Sequence, residues 1–269
     1  MDYMPFLRKD KFPHIWCEGC GDGIALKAIL RAVSNLGFDK NKMAMVSGIG
    51  CSSRTPGYVD FNTLHTTHGR ALPFATGLKL AKPELNIIVV TGDGDATAIG
   101  GNHLIHAARR NINLTVLLYN NYIYGMTGGQ VSPTTPIGDF ATTAPYGGME
   151  NTFDIAGLVI AAGASFVARA TVYHAKALER LIEQALRKKG FSLVEIISPC
   201  PTAYGKINKK GLPKDLVLNQ KSQAVNVEKA KTMSADDLKG RIITGVLADR
   251  ELPEFVSIND KIMSQAQRR

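Results

Sequence analysis

Asn86-Ile-Ile-Val-Val-Thr-Gly-Asp-Gly94 is the stretch that decides the fold, because an apolar run ends there in an aspartate between two glycines. Apolar side chains at successive positions predict a strand buried on both faces, as in a parallel sheet covered by helices. A second such strand is predicted over 114–119 and ends in Asn120-Asn121. The carboxyl ends of neighbouring parallel strands meet at one sheet edge, where open α/β sheets bind ligands. Asp93 and Asn121 are therefore expected to lie together, and their oxygens are of the kind that Mg²⁺ prefers.

Helices and strands alternate on both sides of this stretch. Helices are predicted over 22–36, 70–81, 102–110, 154–162 and 174–189, and further strands over 43–47, 164–168 and 192–198. This alternation is typical of an α/β fold, a parallel sheet flanked by helices. Asp22 is expected to act as the N-cap of the first helix. From residue 206 onward the chain is polar, basic and weakly periodic, so we predict one domain over 1–205 and a basic C-terminal extension over 206–269, packing on the core or on a partner.

The composition excludes some classes of protein and leaves others open. Of 269 residues, 45% are hydrophobic, which argues against disorder, and no apolar run is long enough to span a membrane. The first residues include Arg8-Lys9-Asp10-Lys11 and show no secretory apolar stretch, so a cytoplasmic location is expected. The 32 Lys and Arg exceed the 23 Asp and Glu, giving a net charge of +9. Such an excess suits a nucleic acid, an anionic cofactor or an acidic partner, and charge alone does not choose among them.

Three glycine-rich turns do not match the known nucleotide-binding fingerprints. Gly19-Cys-Gly21, Gly48-Ile-Gly50 and Gly92-Asp-Gly94 each lack the third glycine of the dinucleotide motif, and no Walker sequence is present. A Rossmann dehydrogenase and a P-loop NTPase are therefore disfavoured. The glycines at the end of the 86–91 strand would still allow the backbone to approach a pyrophosphate closely.

The four cysteines raise a question of metal binding. In a chain without an export signal, Cys17, Cys20, Cys51 and Cys200 are expected to be reduced thiols. Four thiolates can hold a tetrahedral Zn²⁺ or an iron–sulfur cluster. An unligated, buried thiol remains the alternative for Cys51 or Cys200 taken singly.

The Gly92-Asp-Gly94 turn followed after 25 residues by Asn120-Asn121 resembles the pyrophosphate-binding motif of the thiamine diphosphate enzymes. A longer series of motifs, in order, resembles the β subunit of the 2-oxoacid:ferredoxin oxidoreductases over about residues 12–205. The motifs are Trp16-Cys-Glu-Gly-Cys-Gly21, Gly48-Ile-Gly-Cys51, His68-Gly-Arg70, Gly92-Asp-Gly94 and Thr127-Gly-Gly-Gln130.

This resemblance implies three cofactors and the residues that hold them. Mg²⁺ would be bound by the side chains of Asp93 and Asn121 and by the carbonyl of Ile123. The diphosphate would contact Gly94, Asp95, Gly125 and Met126, while Ile49, Gly50, Cys51 and Ser52 would touch the thiamine cofactor and His68 would lie beside it. One [4Fe–4S] cluster would be held by Cys17, Cys20, Cys51 and Cys200.

The resemblance also implies an activity, which is the CoA-acylating oxidative decarboxylation of a 2-oxoacid with electrons leaving through the cluster to ferredoxin. A partner α subunit would supply the glutamate that activates the cofactor and so complete the active site. Arg54, as a catalytic residue, could pair with a distal carboxylate. This favours 2-oxoglutarate, converted to succinyl-CoA and CO₂ in a reaction reversible in principle.

Three other functions are left as alternatives. One is a pyruvate:ferredoxin β subunit, and another is a non-oxidative thiamine diphosphate decarboxylase, which would need no cysteine cluster. The third is a zinc-stabilised nucleic-acid-binding protein, which would leave the spacing from Gly92-Asp-Gly94 to Asn120-Asn121 unexplained. Neither nucleic acid nor a membrane is expected as a partner.

Overall fold

The computed structural model describes residues 2–268 and contains a large, mostly parallel sheet. Its strands are β1 (Met43–Ser47), β2 (Asn62–His65), β3 (Asn86–Gly92), β4 (Thr115–Asn120), β7 (Phe166–Thr171), β8 (Ser192–Ile197), β9 (Ala224–Asn226) and β10 (Ile242–Asp249), while β5 (Ile123–Tyr124) and β6 (Gln130–Val131) form a separate hairpin. Within the described residues the order across the sheet is β2-β1-β3-β4-β8-β7-β10-β9. All pairs from β2 to β7 are parallel, so the predicted α/β fold is confirmed.

Helices cover both faces of the sheet. They are α1 (Asp22–Asn35), α2 (Ala71–Ala81), α3 (Gly101–Arg109), α4 (Ile155–Ala162), α5 (Ala175–Arg187), α6 (Pro213–Gln223), α7 (Val227–Ala230), α8 (Ala235–Leu238) and α9 (Phe255–Ala266). Helices α1 and α5 pack on one face of the sheet, and α2, α3 and α4 pack on the other. Strand residues alternate between the two cores: Met45 faces α1 and α5, whereas Val46 faces the opposite helices.

The strand register aligns the carboxyl ends of four neighbouring strands. Val46 pairs with Val89, Val89 with Val116, and Val116 with Leu193. All four side chains are fully buried in the same core. The chain segments that leave β1, β3, β4 and β8 therefore emerge side by side at one edge.

The C-terminal part of the chain contributes to the same sheet. Strand β10 pairs antiparallel with β7, and β9 extends the sheet beyond it. Asn111 also holds this part, since its amide group donates hydrogen bonds of 2.9 Å to the carbonyl of Pro253 and of 3.3 Å to that of Leu252. A domain boundary at 205/206 stays a prediction. Among residues 2–268, no helix is long and apolar enough to cross a membrane.

Candidate active site

A cavity of about 200 Å³ lies where the four aligned strands end. β1 leads into Ile49–Ser52, β3 into Asp93, and β4 into Asn121. The cavity is lined by Asp22, Ile49, Gly50, Cys51, Ser52, His68, Gly92, Asp93, Gly94, Asp95, Tyr119, Asn121, Ile123, Tyr124, Gly125, Met126 and Thr127. The structure thus brings together every residue that the sequence predicts to hold Mg²⁺ or the thiamine cofactor. Four of the expected residues for this site or the neighbouring cluster lie outside the lining: Cys17, Cys20, Arg54 and Cys200.

Asp93 is a buried carboxylate held by two hydroxyl groups. Its side chain is 3% exposed, and its Oδ2 accepts hydrogen bonds from Ser132 Oγ at 2.6 Å and from Thr134 Oγ1. Burial raises the pKa of Asp93, so a negative charge at this place is costly without a cation. A divalent ion at the cavity would supply that compensation, which is the chemistry that the predicted Mg²⁺ site requires.

The two asparagines after β4 have different environments. Asn121 lines the cavity, and its amide oxygen accepts the Ile123 N–H at 3.2 Å, which folds the turn so that Ile123 also faces the cavity. Asn120 is not part of the cavity lining; its amide nitrogen donates to Glu195 Oε1 at 2.8 Å, and its amide oxygen accepts the Tyr122 N–H at 3.2 Å. Asn120 therefore anchors the strand end, while Asn121 keeps an amide oxygen at the cavity.

Asp95 joins three segments of the chain, which are the end of β3, the turn after β1 and the loop that carries His68. Its Oδ1 accepts hydrogen bonds from His68 Nδ1 at 2.7 Å, from the Gly69 N–H at 2.7 Å and from the Ile49 N–H at 3.2 Å. Its Oδ2 accepts from Thr91 Oγ1 at 2.6 Å. The side chain is only 2% exposed, so its carboxylate is used within the protein. Because both carboxylate oxygens are engaged, any contact of Asp95 with a diphosphate would have to come from its backbone.

The hydrogen bond to Asp95 fixes the state of the His68 ring. A carboxylate can only accept, so Nδ1 of His68 carries a hydrogen and Nε2 is the free ring nitrogen. His68 lines the cavity and stacks edge-on against Tyr124, with ring centroids 6.1 Å apart. The ring is therefore held by two neighbours beside the expected cofactor.

One feature of the cavity fixes the shape of its wall, and another suits a bound cofactor. A Cβ atom added to Gly94 would overlap the ring of Tyr124, whose hydroxyl donates to the Gly94 carbonyl at 3.1 Å. Only glycine allows this close approach of the backbone to the ring. Ser52 lines the cavity, and its buried hydroxyl has no hydrogen-bond partner within residues 2–268. Buried polar groups are rarely left unpaired in native proteins, so this hydroxyl suits a ligand atom.

The four cysteines come from three places in the chain, and Cys51 is the one that lines the cavity. Cys17 and Cys20 precede α1, Cys51 follows β1, and Cys200 follows β8. All four are free thiols, with Cys17 exposed and the other three partly buried. Burial raises the pKa of the Cys51 thiol to about 12 and also raises the pKa of Cys20, and the nearby Cys200 adds to both shifts.

Within residues 2–268, no three His, Cys, Asp or Glu side chains are close enough to bind a single metal ion. Cys20, Cys51 and Cys200 nevertheless lie within electrostatic range of one another. An iron–sulfur cube separates its thiolate ligands more widely than one ion does. The donor set of four free thiols, with Cys51 in the cavity wall, fits an iron–sulfur cluster.

Asp22 is a site residue that no sequence motif marks. It was expected as a helix N-cap, but it is the first residue of α1, and its carboxylate accepts from Ser198 Oγ at 2.8 Å. It is 2% exposed and lines the cavity next to the cysteines. Burial raises the pKa of Asp22 from its ordinary value near 3.8 to about 6.

Arg54 does not line this cavity, although it lies only two residues after Ser52. Both belong to a 3₁₀ helix over Ser52–Tyr58, in which successive side chains point about 120° apart. Ser52 consequently faces the cofactor cavity, whereas Arg54 faces a second, neighbouring cavity. The pairing of Arg54 with a distal carboxylate stays a prediction, and the structure places its side chain beside the cofactor cavity and not in its lining.

Ser132 and Thr134 are further residues that the sequence did not reveal. They come from the chain that follows β6, close to forty residues beyond the Asp93 carboxylate that they bind. No motif marks a serine or threonine as a partner of a distant aspartate. Only the tertiary structure, in which this loop packs against the end of β3, identifies them.

We predict that Asp95→Leu destabilises the chain by about 1–3 kcal/mol or more, because it leaves the buried Gly69 N–H unpaired, and the part-buried Ile49 N–H adds a smaller cost. Asp95→Asn keeps one oxygen acceptor and should cost clearly less. Urea unfolding measures both, with Asp236→Leu on the exposed face of α8 as the control. Equal stabilities of the two Asp95 variants would show that these hydrogen bonds are unimportant.

The raised pKa of Asp22 predicts how stability depends on pH. A carboxyl group whose pKa is higher in the folded state than in the unfolded one stabilises the fold at low pH, and this contribution is lost as the pH rises from about 4 through 6. Asp22→Asn should therefore gain ~2.5 kcal/mol of stability relative to the wild type between pH 4 and pH 7.5. Urea unfolding of the iron-free chain at both pH values measures the gain, and parallel pH profiles of variant and wild type would contradict it.

Comparison with known proteins places this chain among thiamine enzymes. Residues 45–196 match the family model of the thiamine pyrophosphate enzyme C-terminal TPP-binding domain. The 2-oxoglutarate synthase subunit KorB of Methanocaldococcus jannaschii is 51% identical over 97% of this chain and 97% of its own. The protein of the same name from Archaeoglobus fulgidus is 50% identical over 97% of this chain and 94% of its own.

A solved structure shows the same relationship in three dimensions. It is the 2-oxoglutarate:ferredoxin oxidoreductase of Magnetococcus marinus with 2-oxoglutarate, coenzyme A and succinyl-CoA bound. The match has a TM-score of 0.89 and 36% identity, and it covers 99% of this chain and 91% of the other. The zinc-stabilised nucleic-acid-binding alternative has no support from these relatives. From the family match, the identity to these relatives and the agreement in fold, this chain belongs to the thiamine diphosphate-binding β subunits of the 2-oxoacid:ferredoxin oxidoreductase family.

Proposed function

We propose that this chain is the catalytic β subunit of a 2-oxoglutarate:ferredoxin oxidoreductase, which converts 2-oxoglutarate and CoA to succinyl-CoA and CO₂ and passes two electrons to ferredoxin. The observation that carries the proposal is the position of Cys51 in the wall of the cofactor cavity. This residue borders the residues expected to hold the cofactor and is also one of the four free thiols. A decarboxylase that transfers no electrons would not need a cluster-binding cysteine next to its cofactor.

Thiamine diphosphate, when bound, supplies the carbon nucleophile and the electron sink of the reaction. The residues of this chain bind and orient it. Asp93 and Asn121 would hold its Mg²⁺ through their side-chain oxygens, with the carbonyl of Ile123 as a third ligand. Gly94, Gly125 and Met126 line the wall proposed for the diphosphate, as does the backbone of Asp95.

The wall opposite the diphosphate is proposed to contact the rest of the cofactor and the reacting groups. It is formed by Ile49, Gly50, Cys51 and Ser52, with His68 beside them. The Nε2 atom of His68 is free to accept a proton or, when protonated, to donate one, because Asp95 holds the opposite ring nitrogen. Asp95 thus acts on the chemistry by orienting the imidazole.

Cys17, Cys20, Cys51 and Cys200 are proposed to ligate one [4Fe–4S] cluster. All four are free thiols, which supports this proposal. Cys17 also contributes to raising the pKa of both Cys51 and Cys200, so these three thiols lie within electrostatic range of one another. Electrons leaving the reaction would then have a short path to the cluster and onward to an acidic ferredoxin, whose encounter the net charge of +9 would favour.

The active site is proposed to be completed by a partner α subunit. Among the described residues, the acidic side chains that line the cavity are the aspartates 22, 93 and 95, and no glutamate is present there. Each of these aspartates is engaged by a serine, threonine, histidine or backbone donor. The glutamate that activates the cofactor would therefore come from another chain, which agrees with the description of the relatives as subunits.

Arg54 is proposed to attract the distal carboxylate of 2-oxoglutarate. Its guanidinium group is exposed, and no hydrogen bond or ion pair involves it within residues 2–268. Its backbone N–H is bonded to the Cys51 carbonyl at 3.1 Å, so its long side chain starts next to the cofactor cavity. Pyruvate has no second carboxylate and would gain nothing from this residue.

The substrate is tested by co-expressing the chain with its α subunit without oxygen and measuring viologen reduction with CoA and either 2-oxoacid. We expect 2-oxoglutarate to be strongly preferred over pyruvate. Arg54→Leu should raise the KM for 2-oxoglutarate by about 10–100-fold, the value of one charge-assisted hydrogen bond, and leave the rate with pyruvate unchanged. Arg109→Leu, an exposed arginine on α3, is the control. A wild-type preference for pyruvate would overturn the assignment.

The cluster is tested by Cys17→Ser, which removes a thiol that does not line the cofactor cavity. The variant holoenzyme should lose its brown colour, its acid-labile sulfide and its viologen reduction. Its affinity for thiamine diphosphate should remain within about twofold of the wild type, because Asp93 and Asn121 are untouched. A colourless wild-type protein, purified without oxygen, would favour the non-oxidative decarboxylase instead.

A further inference from the structure

An ion pair lies inside the central sheet, behind the wall of the cofactor cavity. Glu195 belongs to β8, whose other residues are serine, leucine, valine and isoleucine, and it is 3% exposed. Its neighbour in the register is Arg169 of β7, whose Nε donates to Glu195 Oε2 at 2.7 Å and whose outer nitrogen lies 3.4 Å from the exposed Asp154. Removing such a pair from water costs about as much free energy as its mutual attraction returns. Stability alone therefore does not account for charges at this place.

The second oxygen of Glu195 binds the residue at the end of β4. Its Oε1 accepts from Asn120 Nδ2 at 2.8 Å, and Asn120 is itself 4% exposed. Because a carboxylate can only accept, this bond fixes which way round the Asn120 amide lies. The amide oxygen then accepts the Tyr122 N–H at 3.2 Å. It also lies 3.0 Å from Thr134 Oγ1, the hydroxyl that binds Asp93.

The turn after Asn120 has a backbone conformation that needs support. Tyr122 has a φ of 65°, in the left-handed region that a bulky side chain rarely adopts and that persists where neighbouring contacts determine it. The amide oxygen of Asn120 supplies one such contact, and the ring of Tyr204, with its centroid 5.5 Å from that of Tyr122, supplies another. Tyr122 does not line the cofactor cavity, whereas Asn121 and Ile123 on either side of it do. The conformation of Tyr122 therefore decides whether its two neighbours face the same space.

We propose that Glu195, paired with Arg169, is a positioning residue for the divalent cation of the cofactor. Through Asn120 it holds the turn that presents the side-chain oxygen of Asn121 and the carbonyl of Ile123 to one cation. The inference rests on the proposed function, in which these two groups are Mg²⁺ ligands. Glu195 does not line the cavity, so it acts through the ligands and not on the cation itself. Loss of a hydrogen-bond partner behind a metal ligand typically weakens metal binding by about 10–100-fold.

The test compares two double variants in the complex with the α subunit, Arg169→Met/Glu195→Gln and Arg169→Met/Glu195→Met. Glutamine keeps a side-chain oxygen for Asn120, whereas methionine has nearly the same length and shape and no oxygen. Both variants remove the two charges together, so neither leaves a buried charge unpaired. Calorimetry follows the titration of Mg²⁺ into the cofactor-free complex in the presence of thiamine diphosphate. We expect the glutamine variant to bind Mg²⁺ within about twofold of the wild type and the methionine variant to bind it about tenfold more weakly.

A matched control is the ion pair between α1 and α5. Arg31 Nε donates to Glu179 Oε2 at 2.6 Å, and Glu179 also accepts from an asparagine, Asn35, at 2.9 Å. Neither Arg31 nor Glu179 lines the cofactor cavity, so Arg31→Met/Glu179→Met should leave the affinity for Mg²⁺ unchanged. Asn120→Ala keeps the proposed ion pair intact and breaks only its link to the turn. It should weaken Mg²⁺ binding by about tenfold or more, and it tests the inference if the methionine variant does not assemble.

Ca²⁺ distinguishes a loosened site from a damaged one, because Ca²⁺ accepts irregular coordination and Mg²⁺ does not. The affinity of the methionine variant for Ca²⁺ should therefore fall less than its affinity for Mg²⁺. The inference is overturned if the methionine and glutamine variants bind Mg²⁺ equally well, if the α1–α5 control weakens binding to the same extent, or if both cations lose equal affinity. These results do not depend on which 2-oxoacid is oxidised. A wild type that binds thiamine diphosphate without a divalent cation would contradict the proposed function, and the inference with it.

Discussion

The in-register row formed by Val46, Val89, Val116 and Leu193 is the constraint on which the rest of the structure depends. A shift of one residue in any of these strands would turn its buried face outward, so the two cores fix the register. With the register fixed, the lengths of the strands determine where each carboxyl end lies. The turns that carry Cys51, Asp93, Asn121 and Cys200 are then brought to one edge from β1, β3, β4 and β8, of which only β3 and β4 are consecutive strands in the chain.

Asp95 converts this alignment into a defined site. One carboxylate joins the end of β3, the turn after β1 and the loop that carries His68. Gly48 allows this arrangement, because a Cβ atom there would meet the Asp95 carboxylate. Buried donors around a single acceptor cannot move independently without losing a hydrogen bond, so the imidazole and the cavity wall are held in one geometry. A preorganised wall of this kind is what a bound cofactor requires of the protein.

The turn Ser52–Tyr58 divides the surroundings of the site into two chemical environments. On one side lie the aspartates, a buried unpaired serine and the residues expected to hold a Mg²⁺–diphosphate group. On the other side lie arginine, lysine and histidine side chains with little compensating negative charge. A short helical turn can do this because successive side chains point in different directions, so neighbouring residues serve different ligands. The proposed division of labour is cofactor chemistry on one side and attraction of the oxoacid carboxylate by Arg54 on the other.

The sequence by itself determined the parallel α/β sheet and the strand ends that carry Asp93 and Asn121, because apolar runs and the turns after them are local patterns. The family motifs also identified His68 and the residues from Ile49 to Ser52, which share one cavity in the structure. Only the tertiary structure assigned Ser132 and Thr134 to Asp93, buried Asp22 against Ser198, and turned Arg54 toward a different cavity from Ser52. Those outcomes depend on how distant segments pack and on the rotation of a single turn, and a one-dimensional spacing of residues contains neither.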